Sequence, residues 1–238
     1  KHFASHVFEW CTVNRKPLRY IVNASGVALS EDVGEVLVVN STEVRVGDII
    51  ISRSDVGVEV AYSERVVVEN ISLVENNYGV YCSSSSHVVI SSCRIHSNER
   101  AGVSCRRTAD VTVSGCSIRY NHRGIDCYKP SGILRVVNCR IEDNELEGVN
   151  YCGEHELYVF NCTIFRNCYG IECDTGFAHI RNSVICYNLY GVYFFEAGGR
   201  VCCCNIYSNE YYGLYVHGEK LVVASFCWWG SPEGPEYN

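Results

Sequence analysis

Seven times the chain writes Asn, two or three further residues, Gly, and then an aliphatic residue. The copies are Asn76…Gly79-Val80, Asn98…Gly102-Val103, Asn121…Gly124-Ile125, Asn144…Gly148-Val149, Asn167…Gly170-Ile171, Asn188…Gly191-Val192 and Asn209…Gly213-Leu214. Their glycines are 23, 22, 24, 22, 21 and 22 residues apart. A fixed period of this length is the mark of a solenoid. Gly57 and Gly34 extend the period upstream, giving nine Gly-bearing coils between about residues 34 and 216.

Within a repeat the apolar residues alternate, as in Gly170-Ile171-Glu172-Cys173, and no segment sustains a 3.6-residue apolar period. Alternation means strand. Three short strands and three polar turns in about 22 residues make one coil of an all-β, single-stranded parallel β-helix, with strands of successive coils stacked into parallel sheets. At about 4.8 Å per coil the stack is roughly 40 Å long. The repeat Asn is expected to bond to the Asn one coil away, and the Gly to supply a left-handed turn geometry. Residues 1–30 break the period and read as an N-terminal cap segment, 31–227 as the parallel β-helix, and 228–238 as a C-terminal Trp/Gly/Pro cap or tail. An uncovered end coil is an open sheet edge. An exposed edge is also a route to end-to-end self-association.

A net charge of −7 with no basic run argues against nucleic acid. No apolar stretch reaches the roughly 18 residues of a membrane span. The chain contains no Met, even at position 1, and reads as a processed or excised form. Its 16 cysteines point to an oxidising, secreted or cell-surface setting. Most fall on two repeat positions. Cys82, Cys105, Cys127 and Cys173 lie three residues after the Gly, with Cys152 displaced by one. Cys93, Cys116, Cys139, Cys162, Cys204 and Cys227 precede the next aliphatic or Trp by two. Both positions point inward, where a free thiol packs as a small hydrophobe, and parallel neighbours offer poor bridge geometry. Disulfides remain open for Cys11, Cys168, Cys186, Cys202 and Cys203. Stacked thiolates suit Cu(I), but no Cys-x-x-Cys pair with zinc spacing, His-x-His or His-Glu-x-x-His motif occurs, so no metal or cofactor is assigned.

Two residues after each Gly lies an outward column: Glu59, Tyr81, Ser104, Asp126, Asn150, Glu172, Tyr193 and Tyr215. Rings to stack on sugars and acceptors for hydroxyls make Tyr81, Asp126, Asn150, Glu172, Tyr193 and Tyr215 the candidate ligand-binding residues. The competing reading is an ordinary solvated strand face. Asp126 and Glu172 are two coils, about 9.6 Å, apart, near the upper end of the roughly 6.5–9.5 Å carboxyl spacing of inverting glycosidases. They are the candidate catalytic acids, although nothing in the sequence pairs them with a positioned partner. The residue just before the Gly forms a second column, Tyr78, Ala101, Arg123, Glu147, Tyr169, Tyr190 and Tyr212, rich in Tyr toward the C-terminal end.

Several segments together resemble the NosD-like group of right-handed parallel β-helix proteins, found on archaeal and bacterial surfaces. These are Val13-Asn14-Arg15-Lys16-Pro17-Leu18-Arg19-Tyr20, Val33 to Thr42, the Asn…Gly-aliphatic coils, and Cys227 to Pro235. The resemblance implies a right-handed coil and carbohydrate-binding or sugar-hydrolysis relatives; NosD itself is tied to copper-site maturation. One departure stands out: where that group has Asn before the aliphatic, this chain has the Cys93–Cys227 series. The sequence therefore points to a non-catalytic surface module binding polysaccharide or packing with other surface proteins. A polysaccharide lyase or glycoside hydrolase, a copper-handling protein and an end-to-end structural subunit are the alternatives.

Overall fold

A computed structural model describes residues 10–231; the parts of the two caps expected at 1–9 and 232–238 lie outside the described residues. Every element among them is a β-strand. The strands form three sheets of 11, 10 and 8 strands. One coil shows the plan. Tyr78–Ser83 lies in the first sheet, Ser86–Ser91 in the second and Arg94–His96 in the third. The chain then returns to the first sheet at Ala101–Arg106, which pairs with Tyr78–Ser83 in parallel. All pairings are parallel except that of Thr12–Val13 with Lys16–Val22. Lys16–Val22 itself pairs in parallel with Glu35–Val39, so the segment before the first Gly coil already continues the first sheet. At the other end Trp229 packs against the core while Trp228 is 46% exposed.

Period-two alternation places one side chain in two inside, and identical coils put like on like. Ile95, Ile118, Ile141, Ile164, Ile185 and Ile206 occupy one register position of the third sheet and are all buried. The three corners are built differently. At one, the Asn ladder runs as expected: each Nδ2 from Asn76 to Asn188 donates to the Oδ1 of the next coil's Asn at 2.8–3.1 Å. At the second stand the thiols of Cys93, Cys116, Cys139 and Cys162, with Ser183 taking the place in the next coil. The third corner carries a ladder the sequence reading missed. Ser41, Ser63, Ser85 and Thr108 each donate to a carbonyl two residues back, and the Ser63 and Ser85 hydroxyls accept the amides of Ser41 and Ser63.

The repeat glycines do not make the turns. None of Gly79, Gly102, Gly124, Gly148, Gly170, Gly191 or Gly213 has a positive φ, and they lie within strands of the first sheet. The left-handed residue is the one before each ladder Asn: Glu75, Ser97, Tyr120, Asp143, Arg166, Tyr187 and Ser208, with φ from 52° to 58°. Glycine is needed for closeness instead. A Cβ on Gly124 would stand 2.4 Å from the Gly148 carbonyl oxygen and 3.1 Å from Asn144 Nδ2. A second correction concerns Cys152. Tyr151, three residues after Gly148, pairs with Cys127 and takes the inward place, so Cys152, four after the Gly, pairs with Tyr128 outside.

Candidate functional site

The outward column of the first sheet is in register from coil to coil as Glu59, Tyr81, Ser104, Asp126, Asn150, Glu172, Tyr193 and Tyr215. Beside it runs the column preceding the glycines, from Tyr78 to Tyr212. Together they divide this face into a charged centre and an aromatic end.

In the centre, the candidate acid Asp126 is not a solvated strand residue. Only 3% of it is exposed. Arg106 forms an ion pair with one carboxylate oxygen, and Asn150 Nδ2 donates to the other at 2.9 Å. Arg123 Nη1 lies 3.9 Å from that second oxygen. The sequence offered no positioned partner for this acid; the structure supplies one, because Arg106 on the neighbouring coil is long enough to fold back over it. Arg123 also donates through Nε to Glu147, at 2.7 Å. Glu147, buried and outside the candidate set, hydrogen-bonds Glu172 in turn. Burial, together with the charges of Glu147 and Asp174, pushes the Glu172 carboxyl up to about 7. The two candidate acids thus have different surroundings: Asp126 is clamped by a guanidinium, Glu172 is a carboxyl that exchanges its proton near neutrality. At the N-terminal side of the face, burial and the neighbouring Asp55 and Glu59 likewise push Glu35 up to about 7.

A cleft of about 380 Å³ opens next to this centre. Arg100, Arg106, Arg123, Tyr78, Asp126 and Glu99 are among the residues that line it. Arg100 has no ion-pair carboxylate among the described residues; its guanidinium lies over the Tyr78 ring at 5.7 Å and donates to the Tyr78 hydroxyl at 3.2 Å. Tyr81 packs on Tyr78 with ring centres 5.3 Å apart.

Toward the C-terminal end the rings take over. Tyr169 stacks on Tyr190 at 4.7 Å, and Tyr193 on Tyr215 at 5.1 Å. Tyr190 and Tyr212 meet Tyr193 and Tyr215 across the two columns at 6.0 and 5.0 Å. Strand pairing at about 4.8 Å sets ring on ring at stacking distance, so these tyrosines form one continuous aromatic floor.

The inward thiols belong to the core. All 16 cysteines are free, including Cys11, Cys168, Cys186, Cys202 and Cys203. Burial pushes Cys173 up to about 12 and Cys127 higher still, so these thiols stay neutral. The corner thiols donate to backbone carbonyls, as Cys139 Sγ does to Val137 and Val113. Among the described residues no group of three or more His, Cys, Asp or Glu is placed to hold a metal ion, and no helix is long and apolar enough to cross a membrane.

A family model described as a right-handed beta helix region matches residues 34–182. No curated protein matches the chain. Among solved structures, the periplasmic alginate epimerase AlgG superposes with a TM-score of 0.75 at 14% identity, over 90% of this chain and 60% of that one. The A-module of the Azotobacter vinelandii mannuronan C-5 epimerase AlgE6 gives 0.69 at 13% identity, over 90% and 81%. Pectate lyase Pel9A gives 0.61 at 15%, over 89% and 68%. The chain therefore spans 60% of the length of AlgG, and at these identities the likeness is one of fold.

Proposed function

Since this chain belongs to the right-handed β-helix family, we propose that the outer face of its first sheet binds an acidic polysaccharide, without cleaving it. The observation that carries this reading is the presence on that one face of a stacked tyrosine floor and a guanidinium-lined cleft, with only the strand Glu147–Cys152 between them. Stacked rings present flat apolar surface to sugar faces. Arg100, free of a carboxylate partner among the described residues, is the seat for a sugar carboxylate. The similar structures are named for alginate and pectate, which sets the order in which polymers are tried. Membership of the NosD-like group, and a secreted or surface location, go with this reading on the strength of the motifs around Val13–Tyr20 and Cys227–Pro235.

Affinity electrophoresis with alginate, polygalacturonate and a neutral glucan tests it. Retardation by an acidic polymer is expected, weakening with salt. Tyr193→Ala with Tyr215→Ala is expected to weaken binding about tenfold or more, the usual cost of losing central aromatic anchors, and Arg100→Gln to act on the acidic polymers alone. No retardation by any polymer, or wild-type behaviour of these variants, overturns the proposal.

One observation favours a lyase or hydrolase as the second reading. A carboxyl titrating at about 7, as Glu172 does, suits general acid–base work at neutral pH. Asp126, held by Arg106 and Asn150, then positions rather than transfers protons. Polymer depolymerisation that disappears in Glu172→Gln while binding persists selects this reading. Self-association through the last coil, where Leu221 and Phe226 are 76% and 88% exposed, is read separately by light scattering.

A further inference from the structure

Among the thiols outside both ladders, Cys202 and Cys203 are adjacent in the chain. Cys202 closes the second-sheet strand Gly198–Cys202, and Cys203 is the left-handed corner residue after it, with φ 56°. Their sulfurs are 3.0 Å apart. Neither position asks for sulfur. In register with Cys202 stand Ser91, Ser114, Val137, Phe160, Arg181 and Ser225. The corner that Cys203 occupies is filled in other coils by left-handed Asn70, Ser92, Asn138, Asn161 and Asn182. Cys203 is exposed and Cys202 partly so. Beside Cys202 opens a cleft of about 450 Å³. Phe160, Ile180 and Val223 give it apolar walls, and Arg181 and Arg200 bring two guanidiniums that have no ion-pair carboxylate among the described residues.

We propose that Cys202 and Cys203 are a redox-active dithiol that exchanges with an anionic low-molecular-weight disulfide held in this cleft by Arg181 and Arg200. The Cys202 thiolate attacks one sulfur of the bound disulfide, forming a mixed disulfide and releasing one thiolate. Cys203, its proton lost to solvent, then attacks the Cys202 sulfur and releases the second. Two electrons pass from the dithiol to the disulfide, and the products are a Cys202–Cys203 bridge and two small thiols. Cys202 is the attacking thiol: the Cys203 thiol donating to it, then Ser225 and the Arg181 charge, pull it below the usual thiol range. The bridge is easily reversed. Adjacent Cα atoms are about 3.8 Å apart, short of the roughly 4.4–6.8 Å that an unstrained disulfide spans, and strained bridges are the readily reduced ones.

The test uses the reduced, folded chain and the aromatic dicarboxylate disulfide dithiobis(nitrobenzoate). Two nitrothiobenzoate ions are expected from this pair, with the peptide carrying residues 202 and 203 lighter by two hydrogens and bearing no adduct. Cys203→Ser, which installs the residue that Ser92 already supplies at this corner, is expected to release one ion and keep the adduct on Cys202. Arg181→Gln with Arg200→Gln is expected to slow the reaction about tenfold and not to slow that of the cationic disulfide cystamine. Separate adducts on both cysteines, or an equal effect of the arginine substitutions on the two disulfides, overturn the proposal. The thiols lie on the second sheet, so polysaccharide binding by the first is scored independently.

Discussion

The Asn corner and the Cys corner occupy matching places, each an inward polar side chain following a left-handed residue, and each is addressed by backbone amides of its neighbours. Asn121 N–H donates to Asn144 Oδ1 at 3.1 Å; Cys93 N–H points to Cys116 Sγ at 3.5 Å. They differ in what they pass on. An amide is donor and acceptor at once, so every ladder Asn holds the next and a single chain of bonds runs from Asn76 to Asn209. A thiol is a weak donor and weaker acceptor. Cys116, Cys139 and Cys162 each close the corner against backbone carbonyls of their own and the preceding coil at 3.3–3.6 Å. Ser183 interrupts the thiol column and takes over its bond to Cys162 at 3.1 Å. The comparison teaches that the Asn corner couples coils strongly, through side-chain amide bonds, while the Cys corner couples them weakly, through thiol contacts to neighbouring thiols and to carbonyls of the preceding coil.

The largest break is expected from Asn144→Ala. It removes the oxygen that accepts both the amide and the side chain of Asn121, and the donor that holds Asn167. Several buried polar groups lose partners at about 1–3 kcal/mol each, so a loss of roughly 3–5 kcal/mol is expected in urea denaturation. A cost under about 1 kcal/mol would remove the distinction between the corners. Next comes Gly124→Ala, expected at about 2–3 kcal/mol because the new Cβ overpacks against the Gly148 carbonyl. Gly124→Asn sharpens the point. A turn glycine tolerates Asn, whereas a glycine required for close approach does not, so Asn is expected to cost more than Ala.

Much of this architecture could be read from the period alone. Registering residues against the glycines gave the coil count, the Asn ladder and the inward thiols. The outward column from Tyr81 to Tyr215 followed the same way. What escaped has physical reasons. Gly124 is selected by steric closeness, and a turn would have selected the same residue, so its reason was invisible. The Ser41, Ser63 and Ser85 corner carries the same 22-residue spacing, but serine is common in turns, so its recurrence alone does not mark a ladder. The Asp126–Arg106 pair depends on a long side chain reaching to the next coil, and strand columns do not record such reach. In sequence Glu147 is one member of a mixed column, and its place between Arg123 and Glu172 is set by how their side chains reach across the coils.

The smallest effect is expected at the Cys corner. Cys139→Ser keeps a donor for the Val137 and Val113 carbonyls and changes the residue to one that the same corner already accepts at Ser183. Val137 O is in any case engaged by the Gly115 amide at 3.0 Å. A change within about 1 kcal/mol is expected. The decisive measurement is the double-mutant cycle. Cys116→Ser with Cys139→Ser is expected to be additive within about 0.5 kcal/mol, although the two are adjacent, because thiol contacts between coils are weak. Asn121→Ala with Asn144→Ala is expected to show a coupling of about 1 kcal/mol or more, because the second substitution removes an interaction the first has already broken. Equal coupling at the two corners would make the thiols a ladder of the same kind, and the replacement of Asn by Cys a change of atoms without a change of mechanics.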